Sequence, residues 1–199
     1  MNLVNTLVKQ TWAGLRVLIV LTVLLGVIYP LAVWAIARIP GLEGNAEGSV
    51  VTQNGQAVGS SLIGVDPVPA DPARDPWFHS RPSAAGPAMP SGASNKGPYN
   101  EDLVKTIQER RDAIAKREGV SPDQVPPDAV TASGSGLDPS ISVAYADLQI
   151  ARVARVTGLP VDRVKQLVEA NTSGAGIGVP GVNVLQLNLA VQGAAGGAH

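Results

Sequence analysis

Val17-Leu18-Ile19-Val20-Leu21-Thr22-Val23-Leu24-Leu25-Gly26-Val27-Ile28-Tyr29-Pro30-Leu31-Ala32-Val33-Trp34-Ala35-Ile36-Ala37 contains no charged residue and is bounded by Arg16 and Arg38. A membrane-spanning helix needs about 20 such residues at roughly 1.5 Å rise each. Trp12 and Trp34 bracket the run and suit the water–lipid interface as anchors, so the span is set at 12–38. Pro30 removes a helical hydrogen bond, which predicts a disturbance near Gly26. Ala35-Ile36-Ala37 fits the small-x-small pattern of a cleaved leader, but a leader's apolar run is only about 7–15 residues, so a retained anchor is expected.

Flanking charges orient the span. Lys9 and Arg16 precede it with no acidic residue. After Arg38 the next basic residue is Arg74, beyond Glu43, Glu47, Asp66 and Asp71. The positive-inside rule therefore places residues 1–11 in the cytoplasm and residues 39–192 outside. The 199-residue chain has no Cys and only His79 and His199, which removes disulfides and cysteine- or histidine-rich metal sites. Of its 15 Lys+Arg, 12 follow Arg38 with all 16 Asp+Glu, a formal charge of −4 that gives nucleic acid no basic footprint.

Within the outer region, Asn54-Gly55 between Val50–Gln53 and Gln56–Val58 predicts a β-hairpin. A Pro/Gly-rich loop over 65–99 carries Trp77-Phe78-His79-Ser80-Arg81-Pro82, read as a pin that fixes the loop to the core. Asn100 and Gly119 delimit one helix, with Glu109, Arg110, Arg111, Asp112, Lys116 and Arg117 as its solvated face. A second runs from Ser140 or Ser142 to Gly158, burying Ala144, Leu148, Ala151 and Val156. A third starts with Pro160 at its first position and buries Val161, Val164, Leu167 and Val168. Alternation of Leu185, Leu187, Leu189 and Val191 predicts a strand, and 193–199 a flexible tail. The fold class is α+β: one N-terminal transmembrane helix, then a single extracytoplasmic α+β domain.

Gly176-Ile177-Gly178-Val179-Pro180-Gly181 matches G-x-G-x-x-G but follows a helix and precedes a predicted strand, the reverse of a dinucleotide site, and reads as a turn. Thr131–Pro139 reads as a loop held by Ser and Asp turn bonds. A Ser–His–Asp site would have to join His79 to a distant serine such as Ser133, with Asp138.

Several ordered blocks together are similar to one family. They are Tyr29-Pro30; Gly59-Ser60-Ser61-Leu62-Ile63-Gly64; Trp77 through Ala84; Ser91-Gly92-Ala93-Ser94-Asn95; Thr131 through Pro139; Gln149 with Arg152-Val153-Ala154; and Val182 through Asn188. The chain resembles the C subunits of Kdp potassium-transporting P-type ATPases, with departures at Val65, Ser80, Ala93 and Lys96. The resemblance implies a non-catalytic subunit in the bacterial cell membrane that supports assembly and acts as a catalytic chaperone, raising the ATP affinity of the ATPase subunit. It implies as partners the ATP-hydrolysing P-type subunit and a potassium-channel-like subunit, with a small single-span subunit as a further candidate, besides membrane lipid. No tightly bound cofactor or metal is expected, and ATP would come through the catalytic subunit. Gln149, with Ser133, Gly134, Ser135 and Gly136, matches the nucleotide positions suggested for the family, although an outer location would keep these residues from cytoplasmic ATP. Trp77, Phe78, Arg81, Ser94, Asn95, Asp138, Asn183 and Asn188 are candidates for subunit contact. An anchored periplasmic hydrolase or a free-standing binding module are the alternatives.

Overall fold

A computed structural model describes residues 3–85, 91–174 and 179–196, in two compact units. In the first unit the apolar run lies within one helix, Leu3–Ala37, 35 residues long and exposed along its length. It begins well before Trp12 because Leu3, Val4, Leu7 and Val8 continue the helical spacing toward the N-terminus. Its two α-helical parts are α1 (Leu3–Val23) and α2 (Tyr29–Ala37), joined by a π-helical turn at Leu24–Ile28. Pro30 has no N–H, and its ring crowds the carbonyl four residues back, Gly26. The chain answers by widening one turn, so that the Tyr29 N–H donates to the Leu24 carbonyl, five residues back. The expected disturbance at Gly26 is therefore a π-bulge. A short helix, α3 (Glu43–Ala46), follows, and Arg38 donates to Glu47 at 2.8 Å.

The second unit begins with the hairpin β1 (Val50–Gln53) and β2 (Gln56–Ser60). Asn54 (φ 52°) and Gly55 (φ 77°) are both left-handed, the type I′ geometry their dipeptide favours. Helix α4 (Glu101–Glu118) is capped by the Asn100 side chain, which accepts the Leu103 N–H at 3.1 Å, and ends at Gly119. Then come α5 (Pro127–Val130), β3 (Ser140–Ser142), α6 (Val143–Thr157), α7 (Val161–Ala170), β4 (Thr172–Ser173), β5 (Gly181–Asn183) and α8 (Val184–Gly196). The strands β3, β5 and β4 form a small antiparallel sheet in that order, with Ile141 opposite Val182. Phe78, Ile114, Tyr145, Val153, Val164 and Leu187 lie in its shared core. The observed class is α+β, as expected.

Several local expectations are corrected. The predicted strand at 185–191 is helix α8, whose buried residues Val184, Leu187, Asn188 and Val191 follow i, i+3, i+4, i+7. Asn183 caps it by accepting the Gln186 N–H at 3.1 Å, and the only strand there is the three residues before the helix. Of the expected tail, residues 193–196 are the last turn of α8; 197–199 lie outside the described residues, as do Gly176, Ile177 and Gly178 of the glycine motif. Pro160 occupies the N-cap of α7, one position before the predicted one, and Val161 is exposed. Helix α6 buries Tyr145, Ala146, Gln149, Ile150, Arg152, Val153 and Ala154, while Ala144 and Ala151 face outward. On α4, Glu109, Asp112 and Lys116 are exposed as expected, but Arg110, Arg111 and Arg117 are half-buried and do not belong to a solvated face.

Candidate functional site: a buried charge clamp beside a loop junction

The segment 75–82 has no strand partner, yet Asp75, Phe78, His79 and Ser80 are buried. Buried backbone groups must be hydrogen-bonded. Two side-chain amides supply what a neighbouring strand otherwise would. Asn188 of α8 accepts the Phe78 N–H at 2.8 Å and donates to the Phe78 carbonyl at 2.9 Å. Gln149 of α6 does the same for His79, accepting at 2.8 Å and donating at 3.3 Å. Gln149 also donates to the Tyr145 carbonyl and accepts from Arg152 Nη2 at 3.1 Å. Its amide thus uses two donor and two acceptor sites inside the protein, and the residue is 0% exposed.

Arg152 is the centre of the charge clamp. Its Nε donates to both Glu118 carboxylate oxygens at 3.1 and 3.0 Å, and Nη1 donates to the carbonyls of Asp75 (2.8 Å) and Trp77 (2.9 Å). Nη1 also lies 3.3 Å from Asp75 Oδ2. Arg117 donates to Glu118 Oε1 at 2.7 Å and to the Tyr145 hydroxyl at 3.1 Å. One guanidinium therefore ties α4, α6 and the segment together. Only arginine offers five donors in a fixed planar fork, which explains this residue at a site with acceptors on three sides.

His79 closes the cluster, with Nε2 2.6 Å from Asp75 Oδ2 and Nδ1 3.1 Å from Asp66 Oδ2. Burial disfavours the imidazolium, but the hydrogen bonds to Asp66 and Asp75 outweigh it and hold the pKa above the ordinary 6.5. Burial likewise works against the Asp75 carboxylate, and the bonds from His79 and the Trp77 N–H outweigh it, setting its pKa below 3.8. Burial raises the Tyr145 pKa above 10.0, so the phenol stays neutral and accepts from Arg117.

Beside the clamp three loops converge on Thr131–Asp138. Arg81 donates to Asp138 Oδ2 at 2.7 Å and to the carbonyls of Thr131 and Ala132. Gly92 N–H and Ser91 Oγ donate to the Ser135 carbonyl, and Gly64 N–H donates to the Leu137 carbonyl at 2.8 Å. Within the turn, Ser133 Oγ accepts the Gly136 N–H at 2.7 Å, and Ser135 Oγ accepts the Leu137 N–H and donates to Asp138. Gly136 has φ 73°, and a Cβ there would meet Ser83 Oγ at 2.8 Å, so the junction needs a glycine twice over.

The structure thus brings together Arg81, Asp138 and the Ser133–Gly136 turn, and separately Phe78 with Asn188 and Gln149 with His79. Phe78 and Asn188 are buried, so neither side chain reaches the surface of this chain. Asn183 spends its amide on the Ser61 carbonyl at 2.8 Å and on the α8 cap. Trp77 and Ser94 are half-buried and Asn95 is exposed, with Asn95 at φ 52°. Trp12 and Trp34 are exposed on the long helix, each beneath an arginine one turn later: Arg16 at 5.7 Å and Arg38 at 5.5 Å. Asp66, Asp75, Glu118, Tyr145 and Arg152 are not among the site residues read from the sequence, Arg152 standing there only within a family block. The signal for Glu118 lay in its place beside Arg117 one residue before a helix-ending glycine, where a carboxylate opposes the helix dipole and needs a cation.

Both imidazole nitrogens of His79 face carboxylates, leaving neither to activate a serine, and Ser133 is 1% exposed. Among the described residues no group of three or more His, Asp and Glu is placed to hold a metal. A groove of about 790 Å³ between α6 and α7 is lined by apolar residues with Asp147, Lys165 and Glu169. A cleft of about 150 Å³ lies over His79, Asp66, Arg110, Arg117 and Tyr145.

One helix long and apolar enough to cross a membrane, followed by an α+β domain whose buried loop is clamped by charge, defines a protein with a single candidate membrane span and one folded domain. A family profile described as KdpC: K+-transporting ATPase, c chain, matches residues 11–193. A potassium-transporting ATPase KdpC subunit of Kineococcus radiotolerans is 48% identical over 197 residues, 96% of this chain and 97% of that protein. The KdpC subunit of Streptomyces avermitilis is 41% identical over 216 residues, 96% of each chain. That of Mycobacterium tuberculosis is 42% identical over 190 residues, 92% of this chain and 97% of the relative. The chain belongs to the KdpC family, a subunit family of potassium-transporting ATPases, which makes it one part of a larger complex.

Proposed function

We propose that this chain is a non-catalytic subunit that supports assembly of a potassium-transporting ATPase and raises the ATP affinity of its hydrolytic subunit through subunit contacts. Its partners would be the hydrolytic P-type subunit and a potassium-channel-like subunit, with a small single-span subunit as a further member. The span would run with its N-terminus in the cytoplasm and the domain outside, as the charges at Lys9 and Arg16 favour.

The observation that carries the indirect route is the state of Gln149. All four hydrogen-bonding positions of its amide are used within the chain, and it is wholly buried. A nucleotide would have to break the anchor of segment 75–82 to reach it. An effect on ATP affinity then travels as a coupling free energy between subunits, typically about 1–3 kcal/mol, or roughly 5- to 150-fold.

The test is the KM for ATP of the detergent-purified complex with and without this chain, alongside photo-crosslinking with a nucleotide bearing a reactive base. The expected result is a higher KM without the chain and label confined to the hydrolytic subunit. Label on Ser133–Gly136 or near Gln149 would sink the indirect route, and an unchanged KM would sink the affinity role itself.

A further inference from the structure

The Asp66–His79–Asp75 cluster does more than hold a loop in one shape. A doubly protonated imidazole donates from both nitrogens, and a neutral one from only one. His79 has a carboxylate on each side, at 2.6 Å for Asp75 and at 3.1 Å for Asp66. The two carboxylates differ in where they could go. The Asp75 side chain is 2% exposed and shares its Oδ2 with Arg152, so it has no water to turn to. The Asp66 side chain is 49% exposed. When His79 loses its proton, the remaining N–H is therefore kept by Asp75, and the bare Nδ1 lone pair faces the Asp66 carboxylate.

We propose that Asp66, His79 and Asp75 form a proton-operated latch, in which imidazolium ties the segment 66–82 at both ends and loss of its proton frees the Asp66 end while the Asp75 end stays docked. The surroundings of His79 favour this split. From α4, the cations Arg117 and Arg110 line the same cleft, with Glu118 paired to Arg117. From α6, Tyr145 lines the cleft, Gln149 holds the His79 backbone, and Arg152 holds Asp75. On its own segment Ser80 donates to Asp66 from both N–H (2.7 Å) and hydroxyl (3.2 Å). Glu118 is matched by Arg117 and Arg152, and Asp75 by Arg152, whereas Asp66 has no guanidinium within ion-pair distance and is held by His79 and Ser80. Neutral His79 withdraws the one cation that Asp66 pairs with, and the half-exposed Asp66 carboxylate, unlike Asp75, has water to turn to. The bonds to the imidazole raise its pKa above 6.5, so the latch is closed below that value and opens as the medium turns alkaline. This inference stands apart from any role in ATP affinity.

Three consecutive amides report on it separately. The Phe78 N–H is bonded to Asn188, the His79 N–H to Gln149 and the Ser80 N–H to Asp66. In the full-length ¹⁵N-labelled chain in detergent micelles, amide exchange would be followed from mildly acidic to alkaline pH as protection factors, which remove the intrinsic rise of exchange with pH. The Ser80 factor should fall by up to roughly tenfold per pH unit as pH rises from the open-state to the raised closed-state pKa of His79 and level off above it, the dependence of a one-proton linkage. Those of Phe78 and His79 should hold. In Asp66→Asn the transition should vanish, since the amide both accepts from Ser80 and donates to a bare Nδ1. In His79→Gln the Ser80 factor should lose its pH dependence. Loss of protection at all three amides together, no change at Ser80, or a Ser80 transition that survives Asp66→Asn would each overturn the latch.

Discussion

Arg152 and His79 are the residues on which the domain's buried charge is balanced, and their substitution separates two energies. Removing one partner of a buried, hydrogen-bonded charge pair leaves the other stranded at a cost of about 3–5 kcal/mol. Arg152→Ala strands Glu118 and Asp75 and frees the carbonyls of Asp75 and Trp77, so it belongs at the upper end of that range. Urea unfolding of the full chain in micelles should show that loss in the midpoint, whereas Arg155→Ala, on the exposed side of α6, should change stability by less than about 0.5 kcal/mol. The pH profile follows from the two shifted groups. The raised pKa of His79 gives a stabilisation that is complete below 6.5 and lost as pH rises through its folded value. The lowered pKa of Asp75 gives one that is present above 3.8 and lost as pH falls through its folded value. The urea midpoint should therefore be highest between 3.8 and 6.5 and decline on both sides. In His79→Gln the alkaline decline should flatten and the acid one should weaken as well, because His79 is the main group that lowers the Asp75 pKa.

At the scale of elements, the junction at 131–138 depends on backbone approach more than on any side chain. Gly136→Ala puts a Cβ against Ser83 Oγ and the Gly92 carbonyl at a left-handed φ, whereas at Gly158, also left-handed, a Cβ meets nothing within 4 Å. Gly158→Ala should cost about 1 kcal/mol, that of the conformation alone, and Gly136→Ala distinctly more, read as a difference in thermal midpoint. The sequence announced elements where a local signal was strong. Asn54-Gly55 marked the hairpin, Asn100 and Gly119 marked α4, and Ser142 and Gly158 marked α6. It misled where polarity was taken as exposure. The expected buried side of α6 lies well away from the true one because Gln149 and Arg152 belong to the true face, and a period count treats them as outward. Leu185 to Val191 alternates as well as it repeats at 3.6, and the arbitrating signal was the cap, Asn183 three residues before Gln186. Sheet β3–β5–β4 was invisible because strands of two or three residues carry no period. The Trp77–Arg81 block was legible as a pin, but its partners were not, since Gln149, Arg152 and Asn188 lie about 70 to 110 residues away in sequence.

For the whole molecule, the question is what the anchor contributes once the domain is folded. Residues 50–199 form a unit of their own, and the core, the small sheet and the clamp all draw on residues from that unit. The isolated 50–199 fragment should therefore fold, and melt cooperatively. Its alkaline loss of stability should follow that of the full chain. What it lacks is the 35-residue helix that is long and apolar enough to cross a membrane. Under the proposed anchoring, attachment to the same bilayer would turn docking on the other subunits into an encounter at high effective concentration, of order millimolar for a short tether. The released domain must instead dock from dilute solution. If ATP affinity is raised through subunit contacts, micromolar fragment should leave the KM for ATP of the remaining complex nearly unchanged, and the full chain should lower it at equimolar amounts. Full effect from equimolar fragment would mean that the domain alone carries the docking energy and that the helix serves only to deliver it. No effect even from the fragment at millimolar concentration would shift the coupling to the apolar helix, where the π-bulge at Leu24–Ile28 breaks the regular ridge pattern.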